Sequence, residues 1–222
     1  MKPRTPSPDD RFTRAEHKLL AGLARPERIQ AFLDEIPYST EPIYRSPRQV
    51  LDERRAHCFD GALLAAAALA AHGDPPLIVD LRAVRDDDHV VAVFRRRGHF
   101  GAIAKSNVVG LRFREPIYRD MRELVMSYFE LYYNTDGDKT LRSYSAPLDL
   151  GAFDRLAWRT SDAGLPEIVR RLDAARHYPL LTPAMVKALG PVDARSYEAG
   201  LLGADAAGLY ATERLRVQPR AR

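Results

Sequence analysis

The 222-residue chain contains one cysteine, Cys58, set in Arg54-Arg55-Ala56-His57-Cys58-Phe59-Asp60-Gly61 at the head of an Ala/Leu-rich run, Ala62 to Ala71. A thiol attacks as its thiolate. The first turn of a helix, with unpaired amides and the positive end of the macrodipole, favours that form. Arg54 and Arg55 are expected to push the same way. A nucleophile of this kind needs a base, and His89 follows the charged turn Arg85-Asp86-Asp87-Asp88. Those aspartates are expected to keep the imidazole protonated. A third group must orient the ring, and Asn107, or Ser106 beside it, follows the next apolar segment. Cys58, His89 and Asn107 read together as nucleophile, general base and orienting amide, with Lys105 nearby as an electrostatic modifier. The bland alternative is that Cys58 is a small buried hydrophobe closing a helix onto a core.

Those residues converge only if strand ends reach the tip of a helix. His72-Gly73-Asp74-Pro75-Pro76 ends the Ala/Leu helix. Leu77 to Val84 then reads as a strand, Val90 to Phe94 as a second opened by His89, and Phe100 to Ser106 as a third, with Arg95-Arg96-Arg97-Gly98 as the hairpin turn between the last two. His57, adjacent to Cys58, is a poorer base, because neighbouring residues at a helix entry point in different directions.

From Ser46-Pro47-Arg48-Gln49-Val50-Leu51, through Cys58-Phe59-Asp60-Gly61-Ala62-Leu63-Leu64 and His72-Gly73-Asp74-Pro75-Pro76, to His89, the sequence resembles the transglutaminase-like superfamily. The resemblance implies an α+β, papain-like core in which a Cys-bearing helix packs on an antiparallel sheet carrying His and Asp or Asn. It also implies acyl chemistry at amides through a thioester. It spans roughly residues 46 to 107, and the chain departs from the family's pattern with Val91 after His89 and Ser106-Asn107 where an Asp before Pro is usual. In papain-like thiol enzymes an upstream Gln helps bind the oxyanion, which makes Gln49 a supporting candidate. Its place after Ser46-Pro47 equally fits a helix N-terminus. The backbone amide of Cys58 and a neighbour are the stronger oxyanion donors.

With 45% hydrophobic and 29% charged residues the composition is that of a globular protein. One cysteine excludes an intramolecular disulfide and, with no apolar leader or membrane-length run, the expected location is the cytoplasm, with no membrane partner. The net charge of +4 is mildly basic. Arg95-Arg96-Arg97 and the Arg-rich tail form no stacked aromatic–basic motif, so nucleic acid is a weak reading. Neither a metal nor a cofactor is expected. Residues 1–12 and 217–222 are expected to be disordered, 13–150 to form the core with two N-terminal amphipathic helices, and 151–216 a C-terminal helical extension. Within these, Leu111 to Arg114 reads as a short strand, Tyr118 to Tyr133 as a helix, Leu141 to Ala146 as a final strand, and Leu165 to Ala175 as a helix. Two more helices are expected, one from Thr182-Pro183 to Gly190 and one over Ala194 to Leu202.

Two functions follow. One is a cysteine-dependent hydrolase or acyltransferase acting on a peptide or small amide. The other is a catalytically inactive transglutaminase-like domain that binds a peptide or protein partner. Oligomeric state carries no sequence signal.

Overall fold

The Ala/Leu run forms α4 (Cys58–Ala71), and every residue from Phe59 to Leu69 is buried. Alanine favours helix and leaves little bulk, so elements can approach α4 from all sides. α1 (Arg14–Gly22), α2 (Pro26–Glu35) and α3 (Pro47–Glu53) pack against it on one side and a sheet on the other. Gly61 marks the tightest approach: a Cβ there would stand 2.4 Å from the Lys105 Cβ. At the far end of α4, Gly73 with φ of 90° takes the left-handed position that stops the helix. The computed structural model from which these features come describes residues 12–210. The expectations for the two termini therefore lie outside the described residues, except at Phe12, which packs against the core.

The architecture is α+β with an antiparallel sheet, in the order β4 (Arg114–Tyr118), β3 (His99–Ile103), β2 (His89–Arg96), β1 (Leu77–Ala83), β5 (Leu141–Ser145) and β7 (His177–Pro179). β1 (Leu77–Ala83), β2 (His89–Arg96) and β3 (His99–Ile103) form a meander. Its hairpin turns at Arg97 and Gly98, both with positive φ, as the strand twist prefers. Alternation divides the sheet. Ile78, Val90, Ala92, Phe94 and Ile103 share one core with α4, whereas Val79, Leu81, Val91, Val93, Ala102 and Ala104 share another with α5 (Met121–Met126), Tyr128 and Tyr132.

β4 (Arg114–Tyr118) lies at the sheet edge, where Pro116 costs no ladder bond, and so begins where the expected Leu111–Arg114 strand was to end. The expected Tyr118–Tyr133 helix is reduced to α5 and a 3-10 turn, Phe129–Leu131. The Arg114 guanidinium explains the break: it donates to Ser127 Oγ at 2.8 Å and to the Gly110 and Ser127 carbonyls, and lies 3.9 Å over the Tyr128 ring. β5 (Leu141–Ser145) continues the sheet, and β6 (Leu148–Asp149) pairs with the start of β1. The C-terminal region contributes a strand as well as helices. β7 (His177–Pro179) pairs with β5, between α6 (Leu165–Asp173) and the short helices α7 (Pro183–Lys187) and α8 (Ala194–Gly200). No helix among the described residues is long and apolar enough to cross a membrane.

Candidate active site

Cys58 opens α4, half-buried, where α4 meets the end of the sheet. Its Sγ lies 3.9 Å from the Asp88 carbonyl and also accepts from the Val90 amide, so the thiol sits against the β2 backbone on either side of His89. The surroundings work against the expected ionisation. Burial, with the Asp87 and Asp60 carboxylates adding to it, pushes the thiol up to about 12 against the Val90 and Phe59 amides. The arginines do not help, because each is engaged elsewhere. Arg54 lies 4.5 Å over the Phe32 ring and 3.7 Å from Glu35, and Arg55 reaches Glu41 at 3.3 Å.

Asp60, one turn into α4, is fully buried. Its carboxylate accepts the Arg45 amide at 2.8 Å and the His57 amide at 3.3 Å, with the Arg45 guanidinium at 3.7 Å. It fixes the entry into the helix and so the place of the thiol. Burial raises its pKa to about 7 despite these donors.

His89 is buried at the first position of β2. It falls in the phase of Val91 and Val93, on the face away from α4. Nε2–H donates to the Leu111 carbonyl at 2.8 Å, which leaves Nδ1 as the acceptor of a neutral imidazole. Tyr132 stands edge-on to the ring, with its hydroxyl 2.7 Å from the Asp87 carbonyl. Burial, aided by Arg114, lowers the His89 pKa to about 4. The aspartates that were to protonate it act elsewhere. Asp86 accepts from Thr140 Oγ1 at 2.6 Å, and Asp88 from the Ala83 amide at 2.8 Å. Cys58 and His89 line one small cavity of about 70 Å³, and no hydrogen bond joins their side chains.

Asn107 does not orient His89. Its Nδ2 donates to the Asp205 carbonyl and its Oδ1 accepts the Asp205 amide, both at 2.8 Å. The Leu111 carbonyl stands where the orienting group was expected, and Tyr132 shields the ring. Ser106, which lines the same small cavity as His89, accepts the Val108 amide at 3.0 Å. Lys105 is buried and donates to the Leu33 and Ile36 carbonyls at the end of α2, far from the role of modifier. Gln49 lies within α3, its side-chain amide on Glu53 and its backbone on the Ser46 cap. His57 Nε2–H donates to the Ile43 carbonyl at 2.8 Å, and burial lowers its pKa to about 4.

A larger cavity of about 540 Å³ also reaches Cys58, between Tyr44, His57, Asp80 and Asp88. Asp80 pairs with His177, Oδ2 accepting from Nε2 at 3.0 Å, and burial together with the Asp88 charge raises it to about 6. A carboxylate amid the apolar alternation of Leu77–Ala83 was a visible signal for this wall of the cavity; its partner, on a short strand near the C-terminus, had none. Two neutral groups around a helix N-terminus can perform thiol chemistry by general-base transfer from Sγ to Nδ1. Burial disfavours a resting thiolate–imidazolium pair.

No family model matches the sequence, and no curated protein does. Among solved structures, Legionella pneumophila LapG is similar at 18% identity and a TM-score of 0.32, over 41% of this chain and 57% of that one. Its calcium-bound and EGTA-treated forms match at the same identity with TM-scores of 0.31, over 59% and 57% of their chains. This chain thus spans less than two thirds of the LapG chains.

Proposed function

We propose that the protein is a cysteine-dependent hydrolase or acyltransferase of transglutaminase-like architecture, acting on a peptide or small amide, with Cys58 as nucleophile and His89 as general base. The observation that carries this reading is the shared cavity: it is lined by Cys58, at the tip of α4, and by His89, whose Nε2 is tied to Leu111.

A substrate carbonyl entering between them is attacked by Sγ as Nδ1 takes the thiol proton. The oxyanion is met by backbone amides at the start of α4. The imidazolium then returns the proton to the leaving amine. Water or a second amine, deprotonated by His89, resolves the thioester. The Leu111 carbonyl holds the ring tautomer throughout, the part expected of Asn107.

One observation supports a second reading. Burial disfavours both the thiolate and the imidazolium, so proton transfer in the resting state is uphill. A domain that binds a peptide without reacting would show the same neutral sulfur. A burst of nitrophenolate from p-nitrophenyl acetate separates the two. The enzyme releases one equivalent per chain, loses it entirely in Cys58→Ala, and is slowed about a hundredfold or more in His89→Ala. A binding module gives no burst in any of them.

A further inference from the structure

The segment Asp205–Tyr210 includes Gly208 and Tyr210, which line both cavities that Cys58 lines. Asn107 grips its start by the paired amide bonds to the N–H and C=O of Asp205, a contact that reads backbone and ignores side chain. Three residues on, Gly208 passes so close that a Cβ would stand 2.8 Å from Asn107 Nδ2, 3.1 Å from the Tyr38 ring and 3.3 Å from the Thr40 methyl. Its φ is ordinary, so glycine serves close approach here rather than conformation. Thr135 Oγ1 donates to the Tyr210 carbonyl at 3.2 Å, and the Tyr210 hydroxyl is buried with no hydrogen-bond partner among the described residues.

Paired backbone bonds and a close approach that favours glycine are features of a peptide lying in a binding groove. We propose that the groove between Tyr38–Thr40 and Asn107 is a peptide site with a glycine subsite, that Asn107 is its backbone-reading residue, and that Asp205–Tyr210 is the intramolecular peptide that fills it and closes the way to Cys58. This assigns the substrate class as a glycine-containing peptide, which rests on the nucleophile reading above; the occupancy of the groove does not. Release of the segment admits water to the thiol and the ring, the step that brings two dehydrated neutral groups toward reactive values.

The test is the rate of Cys58 alkylation by iodoacetamide at mildly alkaline pH, read by intact mass on the full chain. Asn107→Asp replaces the donor to the Asp205 carbonyl by a repelling oxygen, and Gly208→Val puts a branched side chain against Tyr38 and Thr40. Both alkylate about tenfold faster than the parent or more. The amidated peptide Gly-Ala-Asp-Ala-Ala-Gly-Leu-Tyr restores the slow rate in Gly208→Val, whose groove is intact, and does not in Asn107→Asp. The same peptide with valine for its second glycine restores neither. Should Gly208→Val melt early, Asn107→Asp at the solvent-facing contact carries the comparison. Parent-like rates in folded variants, or fast rates that the peptide leaves unchanged in Gly208→Val, overturn the proposal. A segment that opens as described over a Cys58 that is never acylated refutes the enzyme and leaves the peptide site standing.

Discussion

The ionisation of Cys58 is the sharpest consequence of its surroundings. An ordinary thiol has its pKa near 8.5 and at about pH 9 is about three-quarters ionised. Held at about 12, Cys58 is ionised about once in a thousand at the same pH. The perturbation is unfolding itself, which returns the sulfur to water and removes the Asp87 and Asp60 charges. The assay is the ultraviolet absorbance of the thiolate at about pH 9, with Cys58→Ala subtracted to remove the tyrosines. The folded protein shows essentially no thiolate signal, and urea releases about three-quarters of a full equivalent as the chain unfolds. An absorbance step in the folded protein near or below neutral pH, abolished by His89→Ala, would mean a resting ion pair and refute the neutral-pair reasoning.

Three further outcomes follow from the same geometry. For His89, lowered from 6.5 to about 4 in the folded state, acidification protonates the unfolded chain first. Stability is therefore full above about pH 6.5 and is lost as the pH falls toward about 4, by about 3 kcal/mol relative to His89→Gln in urea titrations; parallel curves for the two proteins would contradict a buried neutral ring. Gly61→Val drives a side chain into Lys105 at the tightest point of the α4–sheet contact and lowers the unfolding free energy by about 1–3 kcal/mol, measured by denaturant melts. Lys105→Met strips the donor from the Leu33 and Ile36 carbonyls at the end of α2, costing about 1–3 kcal/mol in the same assay, whereas a surface lysine would cost almost nothing.

The sequence carried the helix of Cys58, its stop at Gly73 and the β1–β2–β3 meander because each rests on local chemistry: alanine propensity, a glycine beyond a helix end, alternation and a Gly turn. It did not carry the third partner of His89, since a backbone carbonyl such as Leu111's has no side-chain signature. Asn107 misled for a related reason, as its position after a strand fits any backbone partner and the one it finds is Asp205, almost a hundred positions away. The thiolate expected at the head of α4 failed because a helix terminus is visible in sequence and dehydration is not. β7 was missed because three residues, His177–Pro179, present no alternation to read.

The most direct measurement of the Cys58–His89 pairing is the acylation rate of Cys58 by a nitrophenyl ester across the pH range. General-base transfer to Nδ1 predicts a rate that rises through about pH 4, where His89 loses its proton, and then stays level through neutrality. In His89→Ala the level region disappears and the rate climbs about tenfold per pH unit with the thiolate fraction. Superimposable profiles for the two proteins, both following the thiolate alone, would contradict the account.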